Sequence, residues 1–390
     1  MLIGQDITVI GAGVAGLAVA TALAHRGAAV TVLERAPAIT EVGAGLQISP
    51  NGFAVLEALG LGAEVRGAAA RSTGVRLIDG PSGRDVLHLD LARHAPDRTF
   101  LLIHRADLIG CLFRAAQAAG VTVRTGTEVA EIRQDRGRSV LTTTAGETVS
   151  SSLLIGADGL HSGLRARLNG SAAPRFTGQV AWRALVPAPP GTPPEAQVHM
   201  GPGRHAVTYP LRGGTLLNIV AVEERDGWAE EGWHIPGNPD EMRRAFAGFH
   251  PWLRARLDEA EAVHLWGLFR HPVAPVWHDG ASAILGDAAH PTLPFLAQGA
   301  NLALEDAWVL ADLLARTDTP DALALYQARR RPRVIRAIEA ANGNARNYHL
   351  QSPFVRRAAH TALRLGGRIA PTAALRRFEW LYGLDVTADE

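Results

Sequence analysis

Gly11-Ala12-Gly13-Val14-Ala15-Gly16 stands between an apolar run and a helical pattern, and that spacing suits a bound pyrophosphate. The first glycine makes the tight turn, the second lets backbone approach the phosphates, and the third lets helix and sheet pack closely. The helix N-terminus then faces the anion with free N–H groups and a positive dipole end. Glu34 ends the next strand, where an acid accepts hydrogen bonds from adenosine ribose hydroxyls. The alternative is a glycine-rich packing turn. Two later segments also end an apolar strand in glycine and aspartate: Leu154-Ile155-Gly156-Ala157-Asp158-Gly159 and Ile284-Leu285-Gly286-Asp287-Ala288-Ala289-His290-Pro291. In each, the carboxylate can bind a hydroxyl while the glycine admits a ligand near the backbone. Taken singly, either is equally a turn with an aspartate cap.

A different chemistry is written in His205-Ala206-Val207-Thr208-Tyr209. In a strand, residues four apart point to the same face, so His205 and Tyr209 can line one wall of a pocket. With ordinary pKa values of about 6.5 and about 10, the pair suits taking or polarising a hydroxyl proton. The alternative is a pair of half-buried sheet residues. Trp182 and Arg183 are adjacent in another strand and must face opposite ways. Arg183 is a candidate carboxylate partner, against a solvated sheet face. His104, His161, His199 and His290 lack metal-ligand spacing such as HExxH, so no metal is expected. No Gly-x-Ser-x-Gly is present, which argues against a serine hydrolase. The chain has no lysine, so a Schiff base and a Walker-type phosphate lysine are excluded. Its single cysteine, Cys111, lies in an apolar helical pattern and reads as a buried small hydrophobe rather than a reactive thiol.

These residues need elements to hold them. Ile7–Ile10 reads as a buried parallel strand, Leu17–His25 as a helix and Ala29–Leu33 as a second strand. Val42–Pro50 reads as a glycine-rich loop, with Asn51 a candidate cap for the helix holding Val55, Leu56 and Leu59. Residues near 75–91 alternate as an antiparallel excursion would. A helix runs from Arg105 to Ala119, and Val129–Ile132, Ser139–Thr144 and Thr148–Ile155 suggest a β-meander returning to the sheet. From about Arg175 to Arg270, alternating segments joined by glycine turns predict antiparallel sheet with one covered face, interrupted by the proline-rich 187–194 linker. Ala283–Leu285 returns as a parallel-type strand, and a long helix starts near Asn301. The chain from Thr319 is helical and arginine-rich. The fold class is α/β: a Rossmann-like nucleotide domain with an inserted antiparallel β-sheet domain and C-terminal helices.

A net charge of +1 gives no global pull towards nucleic acid or an anionic membrane. One cysteine permits no intramolecular disulfide, which fits a reducing cytoplasm. The apolar run 7–24 is broken by glycines and reads as strand plus helix, not as a signal peptide or membrane span.

Together these motifs carry a resemblance. The chain resembles the single-component FAD-dependent aromatic hydroxylases, the group containing salicylate, hydroxybenzoate and 6-hydroxynicotinate hydroxylases. The resemblance covers essentially all 390 residues. It rests on GAGVAG, GAGLQISPN, IHRADL, GADGLHSGLR, GPGRHAVTYPLRGG and, most specifically, GDAAHPTLPFLAQGANLALEDA. It implies that Gly11, Gly13, Ala15, Gly16, Glu34, Arg35, Gly45, Gln47, Arg105, Val129, Asp158, Asp287, Gly299, Ala300 and Asn301 belong to the FAD site. Arg105 is expected along the ribityl and pyrophosphate, Gln47 near the ribityl chain or ring, and Asp287 on the ribityl or phosphate. Gly299, Ala300 and Asn301 are expected to turn backbone N–H groups to the pyrimidine edge, where reduced flavin is anionic. Asp158 is expected, from the same resemblance, to serve cofactor-loop structure and transient NAD(P)H contact. Pro294 and Phe295 are expected by the flavin face, although some relatives carry a polar residue at the Phe295 position. With Trp182 and Arg183 they form the expected substrate contacts, and His205 and Tyr209 are the expected catalytic pair.

The resemblance further implies that NADH or NADPH reduces FAD, which traps O2 as a C4a-hydroperoxide attacked by an activated aromatic carbon. The expected substrate is a small hydroxylated aromatic acid. No second GxGxxG follows a strand, so the nicotinamide is expected to visit transiently. Residues 1–73, 99–174 and 272–350 are expected to form the discontinuous FAD domain. Residues 74–98 and 175–271 form the substrate domain, and 351–390 a helical cap burying Leu363, Leu365, Phe378, Trp380 and Leu381. The alternative for this last segment is a dimer contact, so a homodimer is open. Two rival functions stand beside hydroxylation: a flavin oxidoreductase of the same fold acting on a polyketide, quinone precursor or isoprenoid, and a non-catalytic nucleotide-binding protein.

Overall fold

The computed structural model describes residues 2–39, 45–225, 227, 231 and 235–388, with the side chains of 344–346 excepted. The chain starts with β1 (Asp6–Ile10), α1 (Val14–Ala24) and β2 (Ala29–Leu33). β3 (Gly45–Ile48) leads into α2 (Pro50–Ala58). A hairpin follows, β4 (Gly74–Asp79) and β5 (Asp85–Asp90), then β6 (Leu101–His104), α3 (Arg105–Ala118), β7 (Thr122–Arg124) and β8 (Leu153–Gly156). The long strands β9 (Arg175–Pro187), β10 (Glu195–Gly201), β11 (Arg204–Leu211) and β12 (Leu216–Glu224) come next. Helices α4 (Pro239–Ala245) and α5 (Pro251–Asp258) separate them from β13 (Val263–Arg270) and β14 (Ser282–Ile284). The chain closes with α6 (Gly299–Arg316), α7 (Thr319–Tyr348) and α8 (Pro353–Ile369), then short helices.

Two sheets organise the molecule. The first is parallel, in the order β14-β8-β1-β2-β7. Helices cover it, so β8 reads as an unbroken apolar run and β1 is buried from Ile7 to Ile10, Thr8 included. Helix α1 is apolar all round because it is buried all round, between this sheet, α3 and α6. The second sheet has eight strands. From one edge, Pro236–Gly237 is followed by β13, β9, β12, β11, β10, β4 and β5. Its pairings are antiparallel except β10 with β4. One face carries Val180, Trp182, Ala184, Ala206 and Ile219 against Phe246 and Leu253 from the α4–α5 region. The other carries Ala181, Val222, Trp266 and Leu268 against Phe295. Both faces are therefore covered, not one.

Several local expectations shift. Of the 42–50 loop, residues 42–44 lie outside the described residues, while 45–48 form a strand because they pair antiparallel with β6. Ser49, not Asn51, is the N-cap of α2; Asn51 lies inside the helix, with its amide turned into a buried network. The 129–151 meander is a separate three-stranded sheet, and only Leu153–Gly156 joins the parallel one.

At the C-terminus, Phe378 and Trp380 pack on the first core and Leu381 is fully buried there. Arg333 donates to the carbonyls of Trp380 and Leu381, both at 2.8 Å. Leu363 and Leu365 depart from expectation, at 39% and 52% exposed. Their helix α8 docks on β4 and β5 through its polar face. His360 lies 3.2 Å from Asp79, and Arg364 donates to the Asp85 carbonyl at 2.7 Å. No described helix is long and apolar enough to cross a membrane.

Candidate active site

The three glycine segments converge. A Cβ on Gly11 would come within 2.5 Å of the Ala157 carbonyl oxygen, and Gly11 has φ +99°. A Cβ on Gly16 would meet the Gly11 carbonyl oxygen at 1.9 Å. A Cβ on Gly286 would lie 3.0 Å from that of Ala15. Segments some 145 and 275 residues from the first, by the usual logic of strand ends in a parallel sheet, thus meet at its carboxyl edge, where α/β ligands bind. Gly13 differs: it is the N-cap of α1, makes no side-chain cap bond, and has open space where a Cβ would stand. Here backbone N–H groups without helical acceptors face an approachable space.

Glu34 reaches back to this turn. Its carboxylate accepts from Ala12 N and from Ala36 N, both at 2.8 Å. Arg35 beside it is exposed, and Val129 lies at the margin of the first core. Asp158 holds its own turn by accepting from Gly163 N at 3.0 Å, and burial raises its carboxyl pKa. Arg105 is the first residue of α3. Asp287 is accessible between buried Gly286 and Ala288. It sits deep enough for the surrounding protein to raise its carboxyl, against the pull of His290, Arg105 and His271.

Helix α6 starts at Gly299, so Gly299, Ala300 and Asn301 hold the three N–H positions that no helical carbonyl can reach. Gln298 precedes them without capping by its side chain, which instead donates to Ser49 Oγ at 3.0 Å. The Asn301 amide is structural: it donates to the Gln47 and Ala297 carbonyls at 3.0 and 2.9 Å and accepts from Ser49 N at 3.0 Å. It therefore locks β3, with Gln47, to the start of α6. Beneath lies a buried ionic network. Arg330 bonds both Glu305 and Asp306, Arg333 and Asn51 bond Glu305, and Asp306 faces His290 at 2.5 Å. Asp306 also accepts from Gly286 N at 3.1 Å, tying this network to the Gly286–Asp287 turn. Burial raises the Asp306 carboxyl, yet the charges of His290 and Arg330 prevail and hold it at about 2.

The eight-stranded sheet turns a second set of side chains towards the same region. Cross-strand partners put His205 beside Val222 and Ala181, and Tyr209 beside Asn218 and Leu185. The His205 ring lies 5.9 Å from that of Phe295, just before α6. The Tyr209 ring lies against Gly45 at the start of β3. Asn218 Oδ1 accepts from Gly45 N at 2.9 Å. Arg183 shares this face; it stacks on Trp266 at 4.9 Å, and its charge reaches Tyr209. Burial keeps the His205 imidazole neutral, far below its usual pKa, with His349 adding to the effect. Burial likewise pushes the Tyr209 phenol above its usual value, against the pull of Arg183. At neutral pH this face offers a neutral imidazole and a hydroxyl that remains a donor.

Trp182 is the correction in the substrate set. Its ring is fully buried on the opposite face, 6.2 Å from Phe246, because strand neighbours alternate. Pro294 is exposed and Phe295 is buried against the sheet. Sequence reasoning missed Asn218, His349 and Glu224. Asn218 was legible as a polar residue at an inward position of β12. His349 had no local signal, because a 30-residue helix delivers it from the far side.

The fold and the convergent turns define a dinucleotide-binding α/β flavoprotein. The chain belongs to the FAD binding domain family, which matches residues 5–341. It is 35% identical over 389 residues to a 3-amino-4-hydroxybenzoate 2-monooxygenase of Streptomyces platensis, covering 97% of this chain and 96% of that protein. It is 34% identical to a 3-hydroxybenzoate 6-hydroxylase of Klebsiella oxytoca, covering 96% of each. The crystal structure of Klebsiella pneumoniae HpxO complexed with FAD and uric acid superposes with a TM-score of 0.82 at 27% identity, covering 94% of each chain. The open space at Gly13, the uncapped starts of α1 and α6 and the accessible Asp287 fit FAD. The protein is an FAD-dependent monooxygenase, which sets aside the non-catalytic reading.

Proposed function

We propose that this protein hydroxylates a small hydroxylated aromatic acid on the sheet face that carries His205 and Tyr209. The observation that supports this most is that His205 meets Phe295 while Tyr209 meets Gly45, so one strand touches both segments flanking the cofactor region. When bound, FAD supplies the electrons of NAD(P)H to O2, the difficult chemistry of the reaction. Glu34 would hold its adenosine ribose, Arg105, Gln47 and Asp287 would hold its ribityl and pyrophosphate section, and the N–H groups of Gly299, Ala300 and Asn301 would face its pyrimidine edge.

His205, neutral at working pH, accepts the substrate hydroxyl proton. Tyr209, which stays protonated, donates to the resulting oxyanion. Moving negative charge onto that oxygen enriches the ring carbons that react. Arg183 binds the substrate carboxylate, with its guanidinium steadied on Trp266. Phe295 and Trp266 keep water away. The exposed apolar side chains Phe354 and Ile369 on α8 support a homodimer contact.

The test is a panel of hydroxylated benzoates and nicotinates offered to the yellow protein. At least one should stimulate NAD(P)H oxidation and gain one oxygen atom. Oxidation without an oxygenated aromatic product across the panel would refute the substrate class.

A further inference from the structure

The catalytic histidine of this reading is not the end of its own hydrogen-bond chain. His205 Nδ1 lies 2.6 Å from His349 Nε2, and His349 Nδ1 lies 3.0 Å from Glu224 Oε1. The other Glu224 oxygen accepts from Gln351 Nε2 at 2.8 Å. Both imidazoles are buried, whereas Glu224 is exposed. Glu224 and His349 line an open cavity of about 380 Å³ with Thr177, Gln179, Arg270 and Asn342. The file thus runs from the sheet face, through buried rings, to a carboxylate in solvent. We infer that His349 and Glu224 form a proton relay that carries the substrate hydroxyl proton from His205 to this cavity. The inference rests on the substrate reading above.

The carboxylate sets the direction. Ionised Glu224 can only accept, so His349 Nδ1 must carry the hydrogen and donate to it. The Gln179 amide nitrogen is also near Nδ1, but at 3.4 Å it is the weaker partner. Neutral His349 then has a lone pair on Nε2, which accepts from His205 Nδ1–H. That leaves the lone pair of neutral His205 on Nε2, the tautomer required of a base. The logic is that of a carboxylate fixing the tautomer of a histidine base, here from the solvent side and extended by one ring.

The transfer balances. The substrate O–H bond breaks and its proton joins His205 Nε2. The Nδ1 proton of His205 moves to His349 Nε2, and the Nδ1 proton of His349 moves to Glu224 Oε1. Glu224 then loses one proton to water in the cavity. Returning a proton inward to the product oxygen restores both starting tautomers. Burial does most to disfavour an imidazolium that lingers on His349, Glu224 opposes this, and the charge of Arg204 adds to it. A short-lived cation suits a relay and not a storage site.

The merely structural alternative is that the three groups fasten the end of α7 to the sheet. The two differ in proton kinetics. The experiment mixes oxidised holoenzyme with 3-hydroxybenzoate in weak buffer containing a pH-indicator dye, and follows proton release with ligand phenolate absorbance. Glu224→Gln keeps the shape and the contact with Gln351, and Glu224→Asp restores the carboxylate; the site is exposed, so folding is not at stake. His349→Gln interrupts the file. We expect ligand affinity and flavin content near wild type, proton release slowed roughly 10²-fold in Glu224→Gln and His349→Gln, and most of the rate recovered in Glu224→Asp. Wild-type release in both interrupted variants would overturn the relay. So would a loss that only tracks stability or affinity. If His205→Ala alone abolishes release, the substrate reading survives and the relay does not. The mixing is repeated with each hydroxylated benzoate and nicotinate of the panel above; if the wild-type protein binds and ionises none of them, both fail together.

Discussion

The Tyr209 ring presses on Gly45: a Cβ at Gly45 would stand 2.3 Å from Tyr209 Cε2 and 2.7 Å from its hydroxyl oxygen. The contact joins the eight-stranded sheet to β3, and Asn218 fixes it from the other side by accepting from Gly45 N. Gly45→Ala should therefore displace Tyr209 or β3. Overpacking of this kind costs about 1–3 kcal/mol. Denaturant unfolding and product formed per NAD(P)H should both fall in this variant. Unchanged stability with unchanged coupling would show that the contact yields without consequence.

Glu34 is the acidic end of the first cofactor motif and holds Ala12 N and Ala36 N at 2.8 Å. Hydrogen bonds to a charged group contribute about 1.5–3 kcal/mol each. Glu34→Arg loses these acceptors and sets a cation where ribose hydroxyls need an acceptor. The purified variant should be largely colourless, read as flavin absorbance relative to protein. Full occupancy would count against the assignment.

Asp306 connects the ionic network to the Gly286 turn. Its carboxyl is held at about 2, below the roughly 3.9 of an unfolded aspartate. A depressed pKa gives stability that is present above the unfolded value and lost as pH falls through the folded one. Glu305 is also depressed and adds in the same direction. Unfolding free energy should thus decline as pH drops from about 4 towards 2. Asp306→Asn should cost about 3–5 kcal/mol at neutral pH, the usual cost of breaking a buried pair, and flatten that decline. An unchanged slope in the variant would assign the acid sensitivity elsewhere.

Much of this site was legible because its signals are local. A strand, three glycines and a terminal acid fit in the first 34 residues, and period-two alternation put His205 and Tyr209 on one face without any structure. Alternation also said that Trp182 and Arg183 part company, but not which of them shares the face of His205 and Tyr209; the packing of α4 and α5 decides that. Leu363 and Leu365 misled for a related reason. Apolar side chains suggested a buried face, yet α8 docks through His360 and Arg364 onto polar groups of β4 and β5. His349 was illegible altogether: it reaches His205 across 144 residues of sequence, through a helix whose length no motif marks.

The central claim is that His205 and Tyr209 act on the substrate hydroxyl, not on the cofactor or the fold. The most direct measurement is product formed per NAD(P)H oxidised in His205→Ala and Tyr209→Phe, with flavin content recorded for both. Losing a general base costs about 10²–10⁴-fold in rate. Hydroxylation should fall on that scale while FAD stays bound and NAD(P)H oxidation persists, with oxygen leaving as hydrogen peroxide. A wild-type ratio at the wild-type rate in both variants would contradict the account.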